Sequence, residues 1–485
     1  MNKHYLSILV GLLLALPAAA SEPGKPNVLF IMIDDLRPEL GAYGREVVQS
    51  PHIDKLASQG VLFANAYVNV PVCGASRASM MTGLRPNKKR FRTFYARADE
   101  DAKDAKTLFG YLSEQGYHTQ SMGKIMHNAG DSVSQWSMAP WKAPSTGGTG
   151  FRNYVLKENI KRFERVETGP PFESADVEDN AYFDGMIADH AIEALSDVKS
   201  LDQPFFMAVG FVKPHLPFNA PTRYWDLYNE KDIELADNPF KPASAPNRAV
   251  HAWAELRKYD GIPEKPKLVP DDMARKLIHG YYASVSYVDA QVGRVLAHLN
   301  ELGLSESTIV FLLGDHGWSL GEHGLWAKHS PFDHATRTPL IVRLPKHKNG
   351  GALTGISHGL VEFVDIFPTI LDLTEQPQLD QLQGSSFVAQ LADPKAPGKS
   401  AVFPRYQLAE VIKSDDYALT EWHGKQGQVL ARMLYDHRLD PEETYNVAEE
   451  PEYKDILDDL HNQLAEMIKS LSLIHISEPT RRKRI

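Results

Sequence analysis

From Val28 to Ile33 the chain is apolar without interruption, and the segment Asn27–Ile33, NVLFIMI, runs straight into two aspartates, Asp34 and Asp35. A strand with one wet face alternates apolar and polar residues. An unbroken run rich in branched residues marks a strand covered on both faces, hence a central strand of a parallel sheet. Further segments repeat the theme. Val61–Val68, Tyr117–Met122, Pro204–Val212, Ser307–Leu313 and Thr338–Leu344 read as strands, and Ser50–Gly60, Asp104–Gln115, Ala181–Val198, Asp271–Leu302 and Val361–Leu373 as helices. Strands alternating with helices predict a doubly wound, mostly parallel α/β sheet, with ligands gathered at the carboxyl ends of its strands. Past about residue 375 the alternation fades. Tyr417–Trp422 and Ala431–Tyr435 read as antiparallel strands, followed by a helix over Tyr453–Leu471, so a smaller α+β subdomain is expected over 376–471 beside a catalytic domain over 21–375.

The ends of the chain read differently from its body. Residues 1–20 carry Lys3, an apolar core from Leu6 to Leu16 and small residues at Ala18–Ala20, the pattern of a cleaved secretory signal, with an uncleaved anchor as the alternative. No later run reaches the roughly 18 apolar residues of a membrane span, so an exported chain without stable membrane insertion is expected, periplasmic or extracellular. Residues 472–485 end on Arg481-Arg482-Lys483-Arg484 and read as a disordered or non-native tail. The net charge is −10, which argues against nucleic-acid binding and against loose capture of a polyanion. An anionic substrate therefore needs a site that supplies its own positive charge. Residues 130–175 and 218–270, rich in Pro, Gly, Trp and polar residues, are long enough to be functional rims.

Chemistry-bearing residues recur just past the predicted strands. Asp34 and Asp35 can converge on a hard divalent cation at a strand end, or form a solvated turn or a helix N-cap. Gly314-Asp315-His316-Gly317 places another acid and an imidazole past another strand, with glycines that let backbone approach closely. Cys73 is the only cysteine and can form no internal disulfide. In Pro71-Val72-Cys73-Gly74-Ala75-Ser76-Arg77 it stands near a helix start, four residues before a cation, which is an anion-binding setting; a buried small hydrophobe is the plain alternative. Lys124 and His127 follow the Tyr117–Met122 strand, suited to binding an anion and moving a proton, or else an incidental surface pair. His215 lies between Pro214 and Pro217, held for acid catalysis or simply structural. Gly321-Glu322-His323-Gly324-Leu325-Trp326-Ala327-Lys328 lacks zinc-helix spacing and offers Lys328, with His323 and Trp326 expected to shape the loop.

The Cys73–Arg77 run resembles the C-x-P-S-R or C-x-A-S-R signature of type I sulfatases. The resemblance covers almost the whole chain after the leader and is nearest the iduronate-2-sulfatase-like branch. Ser50-Pro51-His52-Ile53-Asp54, Phe332-Asp333-His334, Pro339-Leu340-Ile341 and Asp436-His437-Arg438-Leu439-Asp440-Pro441-Glu442-Glu443 also match. It implies an alkaline-phosphatase-like fold and conversion of Cys73 to formylglycine. The hydrate of that residue would attack sulfur on a divalent ion and then expel sulfate. It implies calcium, with magnesium as the alternative, on Asp34, Asp35, residue 73, Asp315 and His316. Arg77 would stabilise the nucleophile or the metal-bound oxyanion. Lys124, His215 and Lys328 would bind the sulfate, and His127 would assist collapse of the hydrate. The implied substrate is a sulfated carbohydrate, with a 2-O-sulfated uronic acid the nearest guess. Ala75 stands where many members carry Pro. In the family, Pro suits an oxygen-dependent formylglycine-generating enzyme and Ala an anaerobic maturase, so either is the implied maturation partner. Two rivals remain: a phosphatase or phosphonate monoester hydrolase on the same scaffold, and a non-catalytic binder of sulfated glycans with Cys73 left as a thiol.

Overall fold

The computed structural model describes residues 25–250, 255–264, 267–345 and 353–474. The expected leader, 1–20, and the tail beyond 474 lie outside the described residues. In chain order the main elements are β1 (Asn27–Ile33), α1 (Pro51–Ser58), β2 (Val61–Phe63), α2 (Cys73–Thr82), α3 (Leu108–Glu114), β3 (His118–Gly123), α4 (Phe183–Val198), β4 (Phe205–Phe211), α5 (Asp271–Glu301), β5 (Thr308–Gly314), β6 (Leu340–Arg343), β7 (Gly355–Ser357) and α6 (Ile366–Leu373). The seven strands form one sheet in the order β7-β2-β6-β5-β1-β4-β3. β1 runs parallel to both neighbours, pairing Ile31 with Val209 of β4 and with Leu312 of β5. β3 is parallel to β4, while β6 runs antiparallel to β2 and β5. The sheet is therefore mixed but mostly parallel, and an alkaline-phosphatase-like α/β architecture is observed.

The unbroken apolar run of β1 has its physical reason in the two layers around it. Leu29, Ile31 and Ile33 pack with Ile187 and Leu195 of α4 and Val285, Val288 and Val292 of α5. Val28, Phe30 and Met32 face Ala75, Ala78 and Met81 of α2 and Phe367 and Ile370 of α6. Covering both faces leaves no position from Val28 to Ile33 where a polar side chain is tolerated. Three expectations are refined. Val61–Val68 is not one strand but two, because the chain turns after Phe63 and resumes at Ala66–Tyr67, which pairs with Val361–Glu362. The helix expected from Val361 starts after that pair, as a 3-10 turn over Phe363–Asp365 that runs into α6 at Ile366. The stretches 130–175 and 218–270 are not wholly irregular: Lys157–Val166 is helical, and Phe172–Ala175 pairs in parallel with Phe218–Pro221.

Beyond the main sheet, β8 (Arg405–Tyr406), β9 (Ala409–Lys413), β10 (Tyr417–His423) and β11 (Val429–Asp436) form an antiparallel sheet, followed by α7 (Lys454–Ile474). Alternation assigns its faces. Ile412, Leu419 and Leu434 pack against Leu457, Leu460 and Leu464 of α7. Trp422, Met433 and Tyr435 point the other way, onto Leu325 and Phe332. The small sheet thus backs the loop that carries Lys328. Among the described residues no helix is long and apolar enough to cross a membrane.

Two buried acids fasten this scaffold. Glu362 receives a two-pronged contact from Arg85, together with Lys399 Nζ at 2.9 Å, Asn69 Nδ2 at 3.0 Å and the Phe403 amide at 2.8 Å. Glu362→Ala strands buried Arg85 and is expected to cost about 3–5 kcal/mol in urea unfolding; a loss under about 1 kcal/mol would contradict that role. Glu322 accepts from Arg37 Nη1 at 2.8 Å and from the Leu320 amide at 2.6 Å. Burial pushes its carboxyl up, but Arg37 and His334 outweigh burial and bring it from 4.5 down to about 2. A depressed carboxyl stabilises the fold above its unfolded value, and that contribution disappears as pH falls from about 4.5 to about 2. Melting curves should show Glu322→Gln less stable than the parent at pH 7 and converging on it toward pH 2; a pH-independent gap would contradict the linkage.

Candidate active site

Four neighbouring strands, β5-β1-β4-β3, all point their carboxyl ends the same way. Asp34 and Asp35 follow β1, Asp315 and His316 follow β5, Lys213 and His215 follow β4, and Lys124 follows β3. Sheet topology alone thus brings together residues up to 282 positions apart. Local geometry finishes the placement. Asp35 adopts a left-handed backbone, φ 59°, which separates its side chain from that of Asp34. Gly123 also has positive φ (74°), and a side chain there would collide with the Gly210 carbonyl. The Lys124 amide instead donates to that carbonyl at 2.7 Å.

Cys73 itself opens α2, so its thiol sits at the positive end of the helix. Its sulfur lies 3.2 Å from His316 Nε2. Burial pushes the thiol pKa up, but Lys328, Lys124 and His316 outweigh it and the net shift is downward. Arg77, four residues on, is fully buried and turns to the carboxylates. Its Nη2 donates to Asp34 Oδ1 at 3.0 Å and its Nε to Asp315 Oδ2 at 2.8 Å. Its Nη1 reaches the carbonyls of Lys124 and of Ile125, the latter at 3.0 Å.

Asp34 also pairs with Lys124 Nζ. Asp35 accepts from Lys328 Nζ at 3.0 and 3.1 Å. Ligand atoms of Asp34, Asp35, Cys73 and His316, all buried, lie within 4.8 Å of one another. Asp315 is outside that group: one oxygen accepts from Arg77 and the other from the Asp35 amide at 3.0 Å. The donor set is right for a hard cation, since two adjacent carboxylates dominate it. Burial, with Asp34 and Cys73 adding to it, pushes the Asp35 carboxyl up to about 6 even with Lys328 and His215 beside it. That rise comes first from burial, and two carboxylates converging with an imidazole and a thiol within 4.8 Å fit a divalent ion.

Above this cluster opens a cavity of about 570 Å³ whose lining includes Cys73, Lys124, His127, His215 and Lys328. His127 is half-buried, with Nδ1 shielded from solvent and unpartnered among the described residues. Burial first, then Lys124 and Arg77, lowers its pKa to about 3, so it is neutral at ordinary pH. His215 Nδ1 donates to the Leu216 carbonyl at 2.7 Å, and its Nε2 lies 3.2 Å from Glu255 Oε1 and 4.0 Å from Asp35 Oδ2. The turn that carries it is tied by Lys213 Nζ, which donates to the carbonyls of His215 and Pro217 at 2.7 and 2.6 Å. His323 and Trp326 are buried away from the cavity: His323 packs on Phe332 with ring centroids 4.1 Å apart, and Trp326 joins the main core.

Glu255 was not singled out by the sequence. It bridges Lys328 and His215, at 3.1 and 3.2 Å. It sits in Ala254-Glu255-Leu256-Arg257, a stretch with no strand end or motif to distinguish one acid from the next; only its membership of the 218–270 rim pointed toward the site.

A family model described as Sulfatase matches residues 26–376. The chain belongs to the sulfatase family. A second model, for the C-terminal part of N-sulphoglucosamine sulphohydrolase, matches residues 321–470 of this family member. Iduronate 2-sulfatase of Mus musculus is 36% identical over 385 residues, covering 72% of this chain and 69% of that protein. Its Homo sapiens counterpart is 37% identical over 374 residues, covering 72% and 64%. Among solved structures, BT4656 in complex with D-glucosamine-2-N,6-O-disulfate superposes with TM-score 0.72 at 21% identity, covering 95% of this chain and all of that one. Phosphonate monoester hydrolase of Agrobacterium radiobacter gives 0.73 at 21% identity, covering 93% and 96%. At such identities the structural likeness speaks for the sulfatase-type fold alone.

The cation site has a direct readout. A bound ion stabilises only the folded state, so calcium should raise the melting temperature and chelator lower it. Asp35→Asn should remove most of that shift. An unchanged melting temperature in chelator and in millimolar calcium would contradict the assignment.

Proposed function

We propose that this protein hydrolyses a sulfate ester on a carbohydrate. Formylglycine formed from Cys73 would be the nucleophile, and a 2-O-sulfated uronic acid the substrate, the latter by likeness to the iduronate 2-sulfatases. The observation that carries the reading is the convergence of Lys124, His127, His215 and Lys328 with Cys73 around one cavity, over buried carboxylates from two strand ends. Asp34, Asp35, His316 and residue 73 would hold the divalent ion, with Asp315 either completing that set or serving it through Arg77. Calcium or magnesium, when bound, would acidify the attacking hydroxyl and offset charge on the sulfate.

The protein's own groups account for the remaining tasks. Lys124 and Lys328 flank Cys73 and would fix the sulfate oxygens as point charges. Both approach from strand ends and loops whose backbone is tied down, so little reorganisation is needed when the ester enters. His215, held through Nδ1 on the Leu216 carbonyl, has Nε2 3.2 Å from Glu255 Oε1 and would protonate the departing alcohol from that nitrogen. His127, half-buried and neutral, would accept a proton from the nucleophile. Export through residues 1–20 and oxidation of Cys73 by a formylglycine-generating or anaerobic maturating enzyme belong to the same proposal, as does a division into 21–375 and 376–471.

The deciding experiment compares release of sulfate, phosphate and phosphonate from matched aryl esters, with peptide mass spectrometry of Cys73 on the same preparation. Preferred sulfate release by protein whose residue 73 is formylglycine is expected. Preference for phosphorus esters would move the assignment to the hydrolases that share this fold, and unmodified Cys73 with no turnover would leave a glycan binder. Cys73→Ala should abolish turnover and leave the melting temperature within a few degrees, since one small side chain changes. His215→Ala should lower kcat on a sugar sulfate by about 10²–10⁴. The loss should be much smaller on an aryl sulfate, whose leaving group needs less protonation; equal losses on both would contradict the acid role.

A further inference from the structure

We propose that Arg152, with Lys142 on the same rim, forms a second anion subsite in this cavity. It would take a carboxylate or a further sulfate carried by the saccharide whose ester is cleaved, and so it rests on the sulfatase reading and narrows it.

The lining of the cavity includes Lys142, Phe151 and Arg152 from one side and Glu255 and Tyr259 from the other. The inner cations are already matched by acids: Lys124 by Asp34, Lys328 by Asp35 and Glu255, His215 by Glu255. Arg152 differs. Among the described residues no carboxylate pairs with it, and its Nε is buried without a partner. Its guanidinium is instead held over three rings, at 4.8 Å from the centroid of Phe151, 4.9 Å from Phe163 and 5.7 Å from Tyr259. The backbone is fixed as well, for the Arg152 carbonyl accepts from Asn219 Nδ2 at 2.8 Å. Neighbouring Arg162 shows the ordinary outcome on this rim, a two-pronged pair with Asp260 at 2.8 and 3.1 Å.

A planar cation oriented by aromatic faces and left with its hydrogen-bond donors uncommitted is poised for two-pronged recognition of an oxyanion. Phe151 links it to the reacting end, because its ring stands edge-on to His215 with centroids 6.3 Å apart. A neutral sugar with a single sulfate fills the inner subsite and leaves Arg152 without an acceptor. A sugar with a second negative group satisfies both.

The test measures kcat/KM of the parent, Arg152→Gln and Arg152→Lys on four substrates. These are an aryl sulfate, a 2-O-sulfated uronate disaccharide, the same disaccharide with its carboxyl reduced to the alcohol, and a disulfated hexosamine. Loss of one charge-assisted contact is worth roughly tenfold or more. Arg152→Gln should therefore lose about tenfold more, through KM, on a doubly charged saccharide than on the aryl sulfate, with partial rescue by Arg152→Lys. A loss on the uronate that vanishes on its reduced form assigns a carboxylate, and a loss on the disulfated sugar assigns a sulfate. Equal losses on all four substrates mean that Arg152 only braces the aromatic cluster and overturn the subsite, as does the absence of any selective loss. If the parent releases no sulfate, the functional reading fails first. Calorimetric titration of the same saccharides then still decides: weaker binding of the doubly charged ones by Arg152→Gln supports the subsite, and equal affinities overturn it.

Discussion

Arg77 is the interaction on which the rest of the site depends. It is fully buried, and a bare guanidinium in that position would be prohibitively costly. Its donors are spent on Asp34 at the end of β1, Asp315 at the end of β5 and two carbonyls just past β3. One side chain on α2 therefore gathers three strand ends and sets the distance from Cys73, one helical turn earlier, to the carboxylates. The resemblance implies that Arg77 stabilises the nucleophile or the metal-bound oxyanion. Its contacts in the structure are with the acids that lie beneath the nucleophile. A lysine could not do this, because only a planar fork reaches three directions at once.

A second constraint follows from charge. The chain is acidic overall, with net charge −10, yet the cavity presents Lys124, Lys328, His215 and Arg152. Long-range attraction does not explain capture of an anion by such a molecule. Local compensation does. Lys124 and Lys328 each stand against an acid that would be shared with a divalent ion, so a bound cation would release lysine charge toward an entering sulfate. Glu255 fits this arrangement as the acid that holds Lys328 and His215 in register across the cavity.

The fold and the inner site were legible in the sequence because both depend on β1-type strands. A strand covered on both faces must be apolar throughout, and the first polar residues after it must lie at the sheet edge where ligands bind; Asp34, Asp35, Asp315, Lys124 and His215 all declared themselves this way. Cys73 was legible because a single thiol beside Gly, Ser and Arg is an unusual local pattern. What remained hidden was set by tertiary contact rather than by local pattern. The turn inside Val61–Val68 depends on pairing with residues about 300 positions away. Which oxygen of Asp315 faces Arg77 depends on backbone geometry at Asp35. Glu255 and Arg152 lie on rims where charged residues are common, and only the packing of aromatic rings and cations around them separates them from their neighbours.

The most direct measurement is the anomalous scattering of a divalent cation in crystals of the matured protein. The expected result is one strong peak enclosed by Asp34, Asp35, His316 and residue 73, with Lys124 and Lys328 drawn off the carboxylates toward the cavity. Crystals grown with the cation that show no peak there, and that keep Lys124 on Asp34 and Lys328 on Asp35, would contradict it.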